Sequence, residues 1–166
     1  MKAVLISIRP KWVEKITRGE KTLEVRKTRP KLETPFKCYI YCTRVKRSPL
    51  GEYVEVHRKT GGAVDEWQEK VMGEFICDTI LPVRVECNSP ADLGAGIEVP
   101  GTCLTDREII DYLGSGKQGY LWHISGLKLY GEPKELAQFD GLRETGFGFE
   151  LRQLEHPPQS WCYVEG

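Results

Sequence analysis

Strand-like segments recur along the whole sequence, and this recurrence limits the possible folds more than any other feature. The first segment, KAVLISI (residues 2–8), is rich in branched apolar residues and is typical of a buried strand. In KTLEVRKT (residues 21–28) apolar and polar residues alternate, as they do in a strand with one buried face. Later segments of the same kind are FKCYIYCT, GEFICDTILPVRVE with an interruption at Pro82, GYLWHISGLKLY and PPQSWCYVE. The sequence therefore predicts a fold built mainly on β-sheet.

Only a few stretches have helical spacing. Residues 10–17 place Trp, Val and Ile on one face after a proline that suits a first helical turn, and Gly19 is expected to end this helix. Thr105 and Glu108 form a capping box, and Gly114 ends the second predicted helix. Shorter helical turns are expected in VDEWQEKV (residues 64–71) and PKELAQF (residues 133–139). RKTGGA and SPADLGAGIEVPG are expected to be loops.

The order of these elements is β-α-β-β-(loop/α)-β-α-β-(α)-β. We predict one domain over residues 1–166, since this length can bury a core of its own and shows no repeat or linker. The expected class is α+β, mainly β: a mixed, partly closed barrel of about five to six strands with two to three flanking helices. One core is expected to contain Leu5, Ile6, Leu23, Val25, Ile40, Phe75, Trp122 and Ile124.

The charges are distributed unevenly, although the formal net charge is zero. Residues 1–60 hold 16 Lys+Arg and 6 Asp+Glu, whereas residues 61–166 hold 8 Lys+Arg and 18 Asp+Glu. The segment TRGEKTLEVRKTRPK (residues 17–31) alone carries six cations and two carboxylates. A local basic patch facing an anionic partner is one explanation, and neutralisation of one half of the chain by the other is the alternative.

The cysteines and histidines do not predict a metal site or a cofactor. No CxxC pair occurs, and the histidines stand in no ligand spacing with the cysteines. We expect reduced, mostly structural thiols in a cytoplasmic protein, with no zinc and no disulfide. The residues concerned are Cys38, Cys42, Cys77, Cys87, Cys103, Cys162, His57, His123 and His156. The longest apolar run, Ala3–Ile6, is too short for a signal peptide or a membrane span, so no membrane partner is expected.

Four residues between the first helix and the second strand carry a family signature. Gly19, Lys21, Glu24 and Arg26 fit the spacing GxKxxExR. This resembles the signature of the ASCH domain, a member of the PUA-like superfamily, and the predicted element order is similar to the pseudo-barrel of that family. SIRPKW and PPQSWCYV are similar to a microbial and phage-like subgroup. The resemblance covers nearly the whole chain.

The resemblance also implies a function. The family is expected to bind RNA or modified nucleobases in a cleft over the barrel, one branch resembles an amidohydrolase that removes the N4-acetyl group of cytidine, and other members are linked to RNA cleavage. That branch uses a lysine, a threonine three residues later and a distant glutamate. Here Glu24 stands three residues after Lys21, Thr22 is adjacent to Lys21, and Glu74 is a distant carboxylate. The full catalytic set therefore does not carry over.

The motif residues have chemistry suited to such a site. Lys21 follows a glycine turn that can aim its ammonium at a phosphate or, with a lowered pKa, at a reacting atom. Glu24 and Arg26 share one strand face about 7 Å apart, so Glu24 can orient Arg26 or accept from an exocyclic amine. Lys21 and Glu24 have opposite parity, so a site that uses both requires Lys21 in the turn. The alternatives are a solvated lysine and an exposed ion pair worth about 0–1 kcal/mol. Lys21 and Glu24 are the candidate catalytic residues.

Other residues are expected to line the cleft, with the rim cations contacting phosphates and the aromatic rings stacking on bases. For each of them an ordinary structural role is the alternative, namely a solvated cation, a core aromatic residue or a structural histidine. The expected wall and rim residues are Arg9, Lys11, Arg26, Lys27, Arg29, Lys31, Tyr41, Trp122, His123, Gln159, Ser160 and Trp161.

Three classes of function stay open. The first is a module that binds RNA, most simply single-stranded RNA, or a modified nucleoside. The second is a small enzyme acting on nucleosides or RNA, either like the N4-acetylcytidine amidohydrolase or like a ribonuclease. The third is a protein-interaction domain, which the basic first third of the chain disfavours because a protein partner would not need that charge bias.

Overall fold

The structure is a computed structural model that describes residues 1–44, 66–86 and 98–166. Its helices are α1 (Pro10–Thr17), α2 (Asp106–Leu113) and one 3₁₀ turn (Leu136–Gln138). Its strands are β1 (Lys2–Ile8), β2 (Leu23–Arg26), β3 (Phe36–Cys42), β4 (Lys70–Cys77), β5 (Ile80–Arg84), β6 (Glu98–Val99), β7 (Leu104–Thr105), β8 (Gln118–His123), β9 (Ser125–Glu135), β10 (Asp140–Thr145), β11 (Gly148–Gln153) and β12 (Trp161–Glu165). RKTGGA, His57, Cys87 and most of the SPADLGAGIEVPG loop lie outside the described residues.

The strands form three sheets. The largest has the order β11-β10-β12-β1-β3-β4-β9, the second has the order β2-β8-β5, and β6 pairs with β7. Only β1 and β3 pair in parallel, with Val4 opposite Cys38, and the other described pairs are antiparallel. The predicted α+β class is therefore confirmed. Within the described ranges, however, the strands do not close into a barrel, and they are more numerous than the predicted five to six.

Two segments that were expected to be single strands each form two. GEFICDTILPVRVE breaks at Asp78 and Thr79, and not at Pro82, which lies inside β5 opposite Tyr120. A proline is tolerated there because β5 is an edge strand and needs no donor on its outer side. GYLWHISGLKLY breaks at Ile124, so that β8 joins the three-stranded sheet and β9 joins the seven-stranded sheet. A local apolar pattern does not identify the strand with which a segment pairs, so these breaks were not predicted.

The prediction of a single core is wrong, because the buried apolar residues form three clusters. Both faces of β1 are buried: Ile6 belongs to the first cluster and Leu5 to the second. Ile40, Phe75, Trp122 and Ile124 join Ile6, as predicted for one core. Val25, with Leu23 packed beside it, belongs instead to a third cluster under α2. Alternation along β1 and β2 sends neighbouring residues to opposite faces, and each face has its own covering layer.

The helix ends follow their sequence signals. Pro10 occupies the first turn of α1, and Gly19 beyond its end has φ of 72°, the left-handed conformation expected of a terminating glycine. Thr105 and Glu108 form the predicted capping box of α2, which ends at Gly114. PKELAQF gives only the short 3₁₀ turn after β9, and residues 66–67 are helical before β4 begins at Lys70. Among the helices described, none has the length and apolar character needed to cross a membrane.

Candidate functional site

The turn between α1 and β2 places Lys21 inside the protein. Its side chain is almost completely buried, and the whole residue is 2% exposed. The ammonium Nζ donates to the backbone oxygens of Leu23 at 2.8 Å and Thr102 at 2.7 Å, and it lies 3.3 Å from Oε2 of Glu24. An ammonium has three donors, so these three oxygens use all of them. The Trp12 ring adds a cation–π contact at 5.3 Å from Nζ to the ring centroid.

Glu24 joins Lys21 to Arg26. Its Oε1 accepts from the Arg26 guanidinium at 2.8 Å, and both residues are buried. Arg26 also donates to the backbone oxygen of Ser7 at 2.7 Å and, through its other terminal nitrogen, to the Ser160 hydroxyl at 3.2 Å and backbone oxygen at 3.3 Å. Glu24 and Arg26 therefore form the fixed pair that their shared strand face predicted. We call Lys21, Glu24 and Arg26 the motif network.

The motif network is internal, which changes the chemistry expected of it. The opposite parity of Lys21 and Glu24 is resolved as expected, because Lys21 lies before the first residue of β2. The expected exposure of the ammonium at the mouth of a cleft is not seen. Two cations share one carboxylate, so the network has a net charge of one positive unit. The carbonyl oxygens that it contacts partly offset this charge.

Sequence reasoning missed the partner segment of Lys21. Gly101 accepts backbone hydrogen bonds from Thr22 and Leu23, each at 2.9 Å, and its φ of 78° is left-handed. A Cβ on Gly101 would lie 2.7 Å from the Thr22 hydroxyl, so only glycine fits without a shift. The next residue, Thr102, is fully buried and gives its carbonyl to Lys21. Gly101 ends the stretch SPADLGAGIEVPG, which was expected only to be a loop, and nothing local connected that loop to Lys21.

Two buried donors close to the motif network lack an acceptor among the described residues. They are Nε of Arg26 and Nε1 of Trp122. In the β2–β8 register Glu24 is opposite Trp122 and Arg26 is opposite Tyr120, so both donors belong to the same face of the three-stranded sheet. Unsatisfied buried donors are costly, and an acceptor such as an ordered water would stabilise this region.

The exposed cations of this region lie in residues 27–31, directly after β2, which we call the basic segment. Lys27, Arg29 and Lys31 are exposed, and none of them forms an ion pair with a described residue. The segment is held at two points: the Trp161 indole donates to the Thr28 hydroxyl at 3.0 Å, and the Lys31 backbone N–H donates to the Tyr163 hydroxyl at 2.7 Å. The basic segment is therefore an anchored row of cations at the surface.

Two aromatic rings contact the basic segment, one at Lys27 and one at Thr28. Tyr112 of α2 is 39% exposed, and Lys27 Nζ lies 5.2 Å from the centroid of its ring. Trp161, which bonds Thr28, is half-buried and packs on Trp122, with 5.9 Å between ring centroids, and on Tyr163, with 5.4 Å. Tyr112 was not among the predicted site residues, because the capping signals that predict its helix do not indicate what the helix packs against.

Electrostatics also place Tyr112 beside the motif network. Burial raises the pKa of the Tyr112 hydroxyl, and the Glu24 carboxylate adds to the rise. Arg26, a hydrogen bond with the Lys27 backbone and Arg9 oppose it. Arg9 is exposed at the start of α1, so α1, β2 and α2 all contribute to this surface.

Four of the predicted wall residues also have definite positions here. Ser160 bonds Arg26, and Gln159 is exposed beside it. Lys11 lies 4.7 Å from the centroid of the Trp12 ring. Trp161 is held at the edge of the basic segment.

Three other predicted wall residues are not available to a ligand at this surface. Tyr41 is 4% exposed and packs in the second cluster, so its ring offers no free face. Trp122 is completely buried in the first cluster. His123 is opposite Leu23 in the β2–β8 register, and this puts it on the face of the sheet away from Glu24. Strand parity alone did not reveal which face would be covered.

Two carboxylates have partners that sequence reasoning did not find. Asp78, in the turn between β4 and β5, lies 2.6 Å from Nδ1 of His123. That contact is the main cause lowering the pKa of Asp78, and burial opposes it. Glu74 accepts from the Tyr130 hydroxyl at 2.6 Å, beside the second cluster, so the structure gives no contact between this carboxylate and Lys21.

A cavity lies away from the basic segment. It has a volume of about 290 Å³ and lies between β10, β12 and residues 152–156. Arg143, Arg152, His156 and Cys162 are among its lining residues. No group of three or more His, Cys, Asp or Glu side chains suited to a metal ion occurs in the ranges 1–44, 66–86 and 98–166.

Comparisons with known proteins identify the fold. Crystal structures of the ASCH protein from Zymomonas mobilis are similar to this chain: a tyrosine-to-phenylalanine variant has 17% identity and a TM-score of 0.54, covering 99% of this chain and 91% of that chain. The protein without a substitution has 18% identity and a TM-score of 0.52, covering 98% of this chain and 87% of that chain. No family model matches the sequence. No curated protein matches it either.

The chain thus has the fold of ASCH-domain proteins. The resemblance inferred from the GxKxxExR spacing is confirmed at the level of the fold, over almost the whole chain. The microbial and phage-like subgroup stays a prediction.

Proposed function

We propose that this protein binds single-stranded RNA across the basic segment, with Tyr112 and Trp161 as the surfaces on which bases stack. The observation that carries the proposal is the row of Lys27, Arg29 and Lys31, which are exposed and form no ion pair with described residues. Two aromatic rings contact the same segment. Cations neutralise phosphates, and aromatic faces accept unstacked bases of any sequence. The ASCH fold is consistent with this class of ligand.

In this proposal the buried motif network fixes the position of the binding surface. Arg26 ties β2 to Ser7 of β1 and to Ser160 before β12, while Lys21 ties the same strand to Thr102. These contacts fix where β2 ends and therefore where the basic segment begins. Gln159 and Arg9 are exposed at the margins and can add polar and charged contacts to the ligand.

The geometry favours binding over catalysis by Lys21. A nucleophilic or basic lysine needs a free amine that reaches the ligand, whereas Nζ of Lys21 is buried and engages three oxygens. Glu24 is likewise divided between Lys21 and Arg26. An enzymatic role for this pair would require the network to open, and no second observation favours it. The cytoplasmic location also stays a prediction.

The test is fluorescence anisotropy with a labelled single-stranded RNA across a salt series. Affinity should fall steeply with salt, and each lost phosphate contact should reduce the slope of log K against log salt by about 0.7. Lys27→Ala and Arg29→Ala should each show that reduction. Tyr112→Ala and Trp161→Ala should weaken binding by about 1–3 kcal/mol while leaving the slope unchanged, because stacking carries no charge.

Lys128→Ala is the matched control, since Lys128 is an exposed lysine on β9, outside this surface. Binding that does not depend on salt, or an equal loss from Lys128→Ala and Lys27→Ala, would contradict the proposal. Parallel assays for N4-acetylcytidine hydrolysis and for RNA cleavage test the enzymatic alternative. The chain could show turnover in one of these assays that Lys21→Ala abolishes, with RNA affinity unchanged in that variant. In that case the function would be catalysis and not binding alone.

A further inference from the structure

We propose that a second copy of this chain pairs with this one edge to edge through β11. This strand is one end of the seven-stranded sheet, with β10 on its inner side. Alternate residues of β11 direct their backbone N–H and C=O groups away from β10, toward a position that no described strand occupies. Such an edge is a template for another strand.

The two edges of this sheet differ in how they are protected. At the other end, β9 contains Lys128, Pro133 and Lys134, and its pairing with β4 is interrupted by two register shifts. Lysine, proline and irregular pairing are the usual means of keeping an edge strand from adding a neighbour. β11 has no lysine, no proline and regular pairing with β10: its sequence is GFELRQ, and its two charged residues, Glu150 and Arg152, are opposite in sign.

Apolar side chains are exposed along this unprotected edge. Phe147, in the loop before β11, is fully exposed, while Phe149 and Leu151 are about half exposed. Phe149 and Leu151 are two residues apart and therefore share one face of the sheet. An edge strand with exposed apolar residues favours association with another strand.

Charge favours one register of the pair. When two identical antiparallel strands are related by a two-fold axis, residues whose backbone N–H and C=O groups point outward must lie opposite one another. The axis therefore passes between the two copies of one residue. An axis at Glu150 would oppose two carboxylates, and an axis at Arg152 would oppose two guanidinium groups. An axis at Leu151 instead places Glu150 of each copy opposite Arg152 of the other, twice over. Opposite charges directly across a ladder stabilise it, and like charges destabilise it.

The same register also gives the exposed apolar residues a place to pack. Leu151 lies opposite its own copy, with Phe149 of the second copy at the diagonal position. Phe147 lies opposite Glu155 of the second copy. Residues 152–156 line the cavity of about 290 Å³, so in this register the exposed loop phenylalanine of each copy lies at the end of β11 that is next to the cavity of the other. Aromatic anchors in pockets are typical of the energetic centre of an interface.

The experiment measures molecular mass by analytical ultracentrifugation over a concentration series that extends to millimolar protein. The chain as it stands should show a dimer that dissociates on dilution. Glu150→Arg and Arg152→Glu should each be monomeric, because each places like charges opposite one another. An equimolar mixture of the two variants should recover a dimer, since every pair across that mixed interface is again opposite in charge. The double variant should dimerise with itself.

Leu151→Arg and Leu129→Arg form the matched control, because Leu129 is similarly exposed on the opposite edge strand. Only the substitution at Leu151 should remove the dimer, and thermal melts should verify that each variant is folded. A chain that is monomeric at every concentration overturns the proposal. A dimer that survives both single charge reversals, or a mixture of folded variants that stays monomeric, overturns it as well.

Discussion

At the scale of single residues, Lys21 shows how far a motif predicts an environment. Its place in the turn before β2 followed from parity, since only a turn could bring it and Glu24 together. Its burial did not follow, because one of its acceptors is the carbonyl of Thr102, 81 residues later in the chain. A spacing such as GxKxxExR specifies which side chains meet along one strand. It contains no information about the segment that covers them.

Tyr112 was missed for a related reason. Its helix was recognised from the Thr105 capping box and Gly114, which are signals of where a helix begins and ends. The contact with Lys27 depends on how α2 packs over the end of β2. The other aromatic residue at the basic segment, Trp161, was predicted because it lies close in sequence to Ser160 and the proline turn.

The buried thiols lead to a prediction about pH. Burial raises the pKa of Cys42 from 9.0 to about 12, so the unfolded thiol ionises first as pH rises. Above pH 9 the unfolded state therefore binds fewer protons than the folded state, and the stability present below pH 9 is lost as pH approaches 12. Urea unfolding should show a loss of up to about 2 kcal/mol from this thiol at about pH 10.5.

Cys42→Ala should reduce that pH dependence by the share of one thiol, because burial also raises the pKa of Cys77 and of Cys162. It should also lower stability at every pH by leaving a cavity. Val71→Ala is the matched control: Val71 is equally buried on the neighbouring strand and carries no titratable group. It should lower stability without changing the dependence on pH. The same alkaline loss in Cys42→Ala and in the unsubstituted chain would contradict the prediction.

At the scale of elements, the ends of the helices were predicted well from the sequence, whereas the pairing partners of the strands were predicted poorly. The limits of α1 and α2 were set by Pro10, Gly19 and a capping box, all of which act within a few residues. The division of one predicted strand into β8 and β9 depends on which sheet each half joins. Pairing is a long-range property, and the hydrophobic pattern on either side of Ile124 is the same. The same limit explains why three sheets were predicted as one barrel.

The glycine turns allow a matched test at this scale. Gly19 and Gly101 both have left-handed φ, but a Cβ on Gly19 would meet nothing within 4 Å, whereas one on Gly101 would meet the Thr22 hydroxyl at 2.7 Å. Gly19→Ala should therefore cost only the backbone strain, about 1 kcal/mol. Gly101→Ala should cost about 1–3 kcal/mol more in urea unfolding, because Thr22 must move. Equal losses from the two variants would show that the Gly101 turn adapts freely.

At the scale of the whole molecule, the motif network connects units that have separate cores. The seven-stranded sheet packs its two faces in the first and second clusters, and the third cluster lies between α2 and the three-stranded sheet. Arg26 bonds Ser7 on β1, and Lys21 bonds Thr102 between β6 and β7, so buried polar contacts hold the small sheet in place. That residues 1–166 form one domain stays a prediction. It implies that the whole chain unfolds in one cooperative transition.

Hydrogen exchange can measure that coupling through Lys21→Met. This change keeps an unbranched side chain as far as Cε and removes the ammonium, so the carbonyls of Leu23 and Thr102 lose a donor and Glu24 keeps one ion-pair partner. Breaking a buried pair in this way should cost about 3–5 kcal/mol of stability. The amides of β8, which pairs with β2, should lose more protection than those of β3 in the centre of the large sheet. Lys31→Met, at an exposed position, should change stability by less than about 0.5 kcal/mol. Equal losses in β8 and β3 would mean that the two sheets open together, in which case the network stabilises the whole molecule and not the junction between its parts.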